Sequence, residues 1–274
     1  MMASLIIRIK DLCRSISAGV FVFMAALLPI MSASPTSVFT QAFSSDRIFA
    51  SVPWLLEPDD QAFEAMFMKC PQKIMPAHEF FFFGVQRQVF YIESGLIATC
   101  FGRGDTFDRM ASLFRPGNLL GAPKAVLHPG KDMPLMALAL SPVSVRVMEE
   151  AAFIKLLEQD SDLKLKYLMS LAKHHERQIE GLLVCGVDPL PLRLATLLIV
   201  LLELVPEDAD AAWKRLTIDA RVSEVAELIH ATRPAVSKVL NAWEKQGLLR
   251  RQDGRLELAC DFPVRIRELL MQVE

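Results

Sequence analysis

The chain lacks the close cysteine pairs and histidine–carboxylate clusters from which metal sites and disulfide frameworks are built. Its five cysteines, Cys13, Cys70, Cys100, Cys185 and Cys260, are scattered along 274 residues. This spacing argues against a zinc site, a disulfide framework and an iron–sulfur cluster. We interpret the cysteines as buried free thiols in a reducing compartment. A single redox-sensing cysteine stays open, because a sequence gives no thiol pKa.

Sequence signatures of catalysis are also missing, since the chain has neither catalytic-triad spacing nor a glycine-rich phosphate loop. His78 and Glu79 form a lone pair that we interpret as surface residues. We therefore predict that the protein is not an enzyme and has no catalytic residue and no metal. A hydrophobic content of 52% supplies apolar surface for real cores, and the length allows two domains and an extension.

Residues 15–45 contain no charged side chain. The run Ala18–Ile30 within them is continuously apolar and follows three basic residues, which resembles a secretory signal. Four interpretations stay open: a core or lid helix, a membrane anchor, a wrongly assigned start with Met31 as the alternative, or a real signal. The run is short for a membrane span and contains Pro29, so we favour a non-spanning helix or a start-site artefact.

The region that follows reads as β-structure. Short aromatic and β-branched runs are separated by Gly, Pro and Asp, at the spacing typical of a sandwich or barrel. These runs are Glu79–Phe83, Gln88–Ile92, Gly95–Phe101, Met110–Phe114 and Pro142–Met148. After Glu149 the pattern becomes helical, with one short helix and then a helix of more than six turns.

The long helix carries a narrow apolar stripe, which needs a partner surface, and a second copy of the chain is the simplest partner. We predict dimer contacts from one set of side chains: Leu163, Tyr167, Leu171, His174, Gln178 and Leu182. Its polar members are interpreted as a polar layer at the dimer seam rather than a metal site or a pH switch. Gly186, Pro189 and Pro191 predict a hinge after this helix.

Two short amphipathic patterns lie on either side of a break in residues 221–249. The apolar positions recur at helical spacing: Val222, Val225 and Leu228 in the first, and Val236, Val239, Leu240 and Trp243 in the second. Thr232 is placed as an N-cap, Pro234 lies in the first turn, and Gly247 is placed for a left-handed end. This pattern predicts a helix-turn-helix.

A basic hairpin is predicted directly after the second helix. Leu248–Leu258 contains two alternating runs joined by Asp253 and Gly254, a strong turn signal. From His230 to Arg255 there are six Lys or Arg against two Asp or Glu, although the net charge of the chain is -2. The positive charge is therefore local, as expected for a surface that binds DNA phosphates. The exposed face of the second helix would present Arg233, Ser237, Lys238 and Asn241.

The order of these regions resembles the Crp/Fnr (cyclic-AMP receptor / fumarate–nitrate regulator) superfamily of bacterial transcription factors. Four strings carry the resemblance, which covers Trp54 to Glu274: Val89–Gly95, Phe114–Gly121, Leu190–Ala195 and Thr232–Leu240. The last resembles the family's recognition helix.

The resemblance implies an α+β fold with four regions: an apolar extension (1–50), a β-roll like a cyclic-nucleotide-binding domain (51–155), a dimerisation helix (156–188) and a winged helix-turn-helix (189–274). It also implies a cytoplasmic, homodimeric regulator of transcription that binds a palindromic operator, with RNA polymerase as a candidate partner.

The resemblance also assigns roles in DNA binding. Arg233 and Lys238 match base-reading positions, while Pro234 replaces a base-reading glutamate and offers only apolar contact. We place Ser237 and Asn241 with these base readers. The residues expected to contact phosphate are Thr232, Lys245, Arg250, Arg251 and Arg255.

Two other interpretations stay open. One is a membrane-tethered regulator with the same DNA-binding domain, supported by the apolar extension. The other is a β-barrel protein that binds a small ligand and no DNA.

The cyclic-nucleotide cassette departs from the family pattern. Gly121-Ala122 stands where the nucleotide binders have Gly-Glu, and residues 132–139 hold no arginine. Lys124, His128 and Lys131 lie nearby but not in the family's places. An unpaired buried phosphate is very costly, so we predict no cyclic AMP binding of the usual kind. We expect no iron–sulfur cluster or haem either, and the effector is not identified. Calorimetric titration with cyclic AMP should give no binding signal; micromolar affinity would contradict this prediction.

Overall fold

The computed structural model describes residues 52–82, 87–103, 106–121, 135–205, 212–216, 218 and 221–271. The predicted extension 1–50 lies outside these residues, as do Lys124, His128 and Lys131 of the cassette. The chain divides into two units after Ser51, and every described residue belongs to the second. Within the described ranges, no helix combines the length and apolar character needed to cross a membrane.

Two four-stranded sheets form the β-roll. Their strands in chain order are β1 Gln72–Met75, β2 Phe80–Phe82, β3 Gln88–Ser94, β4 Ile97–Arg103, β5 Thr106–Phe114, β6 Leu119–Leu120, β7 Leu135–Ala139 and β8 Val143–Glu149. One sheet has the order β1-β8-β3-β6 and the other β2-β7-β4-β5, with antiparallel neighbours throughout. Each predicted β run overlaps one of these strands, whereas β1, β6 and β7 were not among the predicted runs.

Strand β3 is buried on both faces because its side chains alternate between two cores. Phe90 and Ile92 point into the roll, where they join apolar residues from both sheets. Val89 and Tyr91 point outward into a second cluster, which the helices around the roll complete. A strand buried on both faces reads as a continuous apolar run. The run Val89–Ile92 is of this kind.

Three helices build the second cluster: α1 Gln61–Phe67, α2 Glu150–Gln159 and α3 Ser161–Val187. Tyr167 of α3 meets Phe153 of α2 edge to face, with ring centroids 5.2 Å apart. Asp160 separates α2 from α3 because its backbone is extended and its carboxylate accepts the N–H groups of Asp162 and Leu163, each at 3.0 Å. The 27-residue helix therefore begins five residues after the predicted boundary at 156.

The face of α3 assigned to a dimer contact needs correction. Leu163, Tyr167 and Leu171 pack into the second cluster of their own chain. His174 lies 3.2 Å from Asp59, and Gln178 donates to Ser112 of β5 at 2.9 Å. The β-roll therefore covers this face. Of the six predicted residues, Leu182 alone is exposed, at 37%, and it lies at the edge of the covered face.

The segment 52–60 lies between β5 and α3. Leu113 donates its N–H to the Trp54 carbonyl at 2.7 Å, and Trp54 donates its own to the Arg177 carbonyl at 3.2 Å. The indole ring covers Gly181, where an added Cβ would lie only 2.0 Å from the ring. A glycine at 181 is thus required by this close approach rather than by its backbone angles.

Cysteine environments agree only in part with the interpretation as buried thiols. Cys100 and Cys185 are buried and Cys70 is half-buried, but Cys260 is exposed at the end of the last strand. Burial, with a smaller contribution from the charge of Glu227, raises the pKa of the Cys100 thiol to about 12. No group of three potential metal ligands occurs among the described residues.

The C-terminal domain begins after α3. Its elements are α4 Leu190–Leu202, β9 Trp213–Arg215, α5 Val222–Leu228, α6 Arg233–Lys245, β10 Leu249–Gln252, β11 Arg255–Ala259 and α7 Phe262–Met271. From Leu194 to Leu202, every apolar side chain of α4 except that of Ile199 is buried. This helix is therefore part of the core of the domain, as its apolar composition predicts.

Asp188 occupies the hinge between α3 and α4. One carboxylate oxygen is buried and has no hydrogen-bond partner among the described residues. The backbone N–H of Asp188 ends α3 by donating to the Val184 carbonyl at 3.2 Å. Burial raises the pKa of Asp188 to about 6, against the opposing effect of the Arg193 charge. The ionised carboxylate therefore destabilises the hinge at neutral pH.

Replacing Asp188 with asparagine should stabilise the fold at pH 7. The pKa of this carboxyl is higher in the folded chain than the ~3.9 of an unfolded aspartate, so its contribution to stability is present below about pH 4 and is lost as the pH rises to about 6. After screening by solvent we expect a gain of about 1 kcal/mol in Asp188→Asn. Urea unfolding between pH 4 and 8 measures it. Asp253→Asn, which removes an exposed carboxylate, is the control; equal curves for Asp188→Asn and wild type would contradict the assignment.

Candidate DNA-binding interface

Helices α5 and α6 form the predicted helix-turn-helix. Val225 and Leu228 of α5 are buried, as are Val236, Leu240 and Trp243 of α6. Thr232 stands at the N-cap of α6, although its side chain makes no cap hydrogen bond, and Pro234 follows in the first turn. The helix ends at Gly247 (φ +67), where Leu248 donates its N–H to the Trp243 carbonyl at 3.0 Å.

The predicted hairpin is confirmed and extended by a third strand. β10 and β11 pair antiparallel with Gln252 opposite Arg255, and Asp253 and Gly254 both have positive φ, as a two-residue hairpin turn requires. β9 pairs with the other side of β11. β9 is not predictable from the sequence because its three residues are too few for an alternating pattern.

The exposed face of α6 carries the predicted base readers. Arg233, Pro234, Lys238 and Asn241 are exposed and Ser237 is half-buried. Because helix positions four apart lie on one face, these residues form a single strip along α6. Thr232 and Lys245, predicted to contact phosphate, lie at the two ends of that strip, and both are exposed.

We call the sheet of β9, β10 and β11 the wing. Among its cations, Arg250 has a structural role that the sequence did not predict. Its guanidinium donates to Glu257 at 2.7 Å and lies 4.6 Å from the centroid of the Trp213 ring. Arg215 donates to the other oxygen of the Glu257 carboxylate at 2.9 Å. These hydrogen bonds lower the pKa of the Glu257 carboxyl, and the bond from Arg250 has the larger effect. Arg250 of β10 thus links its own strand to β11 through Glu257 and to β9 through Trp213.

Arg251 is paired with the second helix. It forms an ion pair with Glu244 and donates to the Asn241 side-chain oxygen at 3.2 Å. This contact couples the wing to the exposed strip of α6. Arg255, in contrast, is exposed and has no hydrogen bond or ion pair to any described residue.

Arg193 of α4 fixes the turn between the two helices. Its guanidinium donates to the carbonyl of Ile229 at 2.9 Å and to that of His230 at 3.1 Å. Carbonyls at a helix end need such donors because they have no partner within the helix. This role of Arg193 is not predictable from the sequence, because its acceptors are backbone carbonyls, which every residue type carries.

Comparison with known protein families identifies this domain independently. Residues 192–259 match the model of the Crp-like helix-turn-helix domain. No curated protein sequence is significantly similar to the chain.

Solved structures share the fold over most of the chain. FixK2 from Bradyrhizobium japonicum matches with a TM-score of 0.60 and 18% identity, over 74% of this chain and 98% of its own. A CRP-family transcriptional regulator from Thermus thermophilus matches with a TM-score of 0.57 and 21% identity, over 72% and 96%. A mutant of CooA from Carboxydothermus hydrogenoformans gives 0.57 and 16%, over 78% and 95%. At these identities the likeness is one of fold.

Proposed function

We propose that the chain is a member of the Crp/Fnr superfamily and a homodimeric, sequence-specific regulator of transcription, which its fold and its Crp-like helix-turn-helix domain support. A role in DNA-binding transcription regulation follows from the family and the domain. The observation that carries the proposal is the strip of exposed side chains on α6. It stands beside a basic wing and is covered by no other described element. A DNA partner also favours a cytoplasmic location.

Sequence specificity would come from the start of α6. Arg233, exposed at the first helical position, can donate two hydrogen bonds to a guanine edge. Pro234 beside it can offer only apolar contact, so the half-site should differ from the one read by family members with glutamate there. Lys245 and Arg255 form no ion pair with any residue that the structure describes, so they are suited to contact phosphate, which positions the domain on any sequence.

A second copy of the chain is the partner that fits the exposed face of α3. Large apolar side chains remain in water along this face: Leu165, Leu168, Met169, Ile179, Leu182, Leu183 and Val187. Most of them follow the alternating spacing of three and four residues that pairs helices in a coiled coil. The β-roll occupies the other side of α3, so both faces are buried only when two copies associate. His175 is the exposed polar residue within this stripe.

Control by a signal other than cyclic AMP is part of the same proposal. Most residues that line the roll interior in the described ranges are apolar, with Thr99 a buried exception whose hydroxyl donates to the Ser112 carbonyl at 3.4 Å, and Gly121-Ala122 replaces the family's Gly-Glu. Neither feature offers a partner to a phosphate.

The DNA-binding role is tested by Arg233→Ala against Arg255→Ala. Chromatin immunoprecipitation with sequence-motif extraction should yield a palindrome with half-sites about one helical turn apart. On that site we expect Arg233→Ala to lose about 1–3 kcal/mol of specific affinity and to relax one base position. Arg255→Ala should weaken all sequences alike and reduce the salt slope by about one. Unchanged base discrimination in Arg233→Ala on base-substituted sites would contradict the reading role.

Dimerisation is tested by Leu168→Asp, which places a carboxylate in the apolar stripe of α3. Burying that charge in each copy should raise the dimer dissociation constant on the order of a hundredfold or more. Sedimentation velocity over a concentration series measures it. Ala152→Asp, at an exposed position in the first turn of α2, is the control and should stay dimeric. A Leu168→Asp protein as dimeric as the control would place the interface elsewhere.

A further inference from the structure

Helix α5 is held at both ends by elements outside the helix-turn-helix. At its C-terminal end, Arg193 of α4 donates to the carbonyls of Ile229 and His230. Near its N-terminal end, Glu224 meets His78 of the β-roll, with 2.7 Å between the His78 Nδ1 and Glu224 Oε1 atoms. The helix also packs against β5. The seven-residue α5 therefore joins the β-roll to the DNA-binding domain.

The carboxylate of Glu224 is buried, with 6% of the residue exposed. Oε2 accepts the Arg221 N–H at 2.7 Å within its own domain, which leaves Oε1 for His78. An ionised carboxylate can only accept, so the Nδ1 atom of His78 carries the proton of this hydrogen bond. A buried carboxylate that loses a donor is costly, which favours the docked arrangement.

His78 is placed rigidly for this contact. It lies in the turn between β1 and β2 with φ +67, a left-handed conformation that Asn, Asp and His adopt more readily than other non-glycine residues. Its backbone N–H donates to the Ala139 carbonyl at the end of β7 at 2.8 Å. The turn is thus fixed to the roll, and the imidazole projects from a defined point.

We infer that the His78–Glu224 hydrogen bond is a positioning contact that sets the orientation of the DNA-binding domain, and with it the spacing of the two α6 helices in a dimer. The inference rests on the proposed function. The covalent connection between the two parts is the hinge at Asp188 and Pro189, and this bond and the α5–β5 packing are contacts that span it. The docked arrangement leaves Arg233 and Lys238 exposed, so it prepares the reading face for DNA rather than blocking it.

The test compares two substitutions of nearly equal shape, His78→Asn and His78→Asp. Both tolerate the positive φ of the turn. The asparagine amide can donate to Glu224 from nearly the position of Nδ1, whereas the aspartate carboxylate repels it. In the full-length protein without DNA, His78→Asp should speed amide exchange in α5 on the order of tenfold. His78→Asn should resemble wild type, and the β10–β11 amides serve as the internal reference.

DNA binding gives a second readout, on duplexes with one or two half-sites of the extracted motif. His78→Asp should weaken binding to two half-sites on the order of tenfold and leave binding to one half-site unchanged, because orientation matters only when both domains bind. Adding Glu224→Gln to His78→Asp should restore both readouts. The glutamine amide donates to the new carboxylate, and its carbonyl oxygen still accepts the Arg221 N–H.

Three results would overturn the inference: unchanged exchange in α5, a failure of the double variant to restore it, or tighter binding of His78→Asp to two half-sites, which would make the contact inhibitory. If wild type shows no preference for two half-sites, the proposed dimeric function fails instead. The exchange experiment still decides whether the contact exists.

Discussion

The long helix α3 must bury two faces, and the rest of the structure depends on how it does so. One face packs on the β-roll through the aromatic cluster around Tyr167 and Phe153. The segment 52–60 completes this packing by placing Trp54 against Gly181. The other face keeps large apolar side chains in water. A helix that is apolar on two sides is stable only between two partner surfaces, and the sensor-like roll supplies one of them.

Buried carboxylates provide the specific links between elements. Asp59 accepts the Leu119 N–H at 2.6 Å and also contacts Ser170 and His174 of α3. Glu224 joins α5 to the roll, and Glu257 joins the three strands of the wing through Arg250 and Arg215. Each carboxylate is satisfied only when its elements are correctly placed, because an unpaired buried charge is costly. Such contacts add orientation to the packing of apolar surfaces, which by itself is non-directional.

Sequence reasoning succeeded where the determinants are local. The helix-turn-helix, its Gly247 end and the Asp253-Gly254 turn are set by residues a few positions apart, and all were predicted. The face of α3 was assigned wrongly because both of its sides are apolar, and only the tertiary fold decides which one the roll covers. Strand β9 and the contact of Arg193 with carbonyls in the turn depend on partners distant in sequence. The pairing of Arg250 and Arg251 with carboxylates is equally invisible to a count of charges.

That pairing changes how the basic surface should respond to DNA. Residues 230–255 contain six Lys or Arg, but Arg250 and Arg251 already neutralise Glu257 and Glu244. Counterion release depends on phosphates neutralised by cations that become available to them. Four side chains have no such carboxylate partner within the described part of the chain: Arg233, Lys238, Lys245 and Arg255. These four should therefore dominate the salt dependence, while the paired arginines shape the wing. A count of charges therefore identifies a basic stretch, whereas the ion pairs show which of its cations are available to contact DNA.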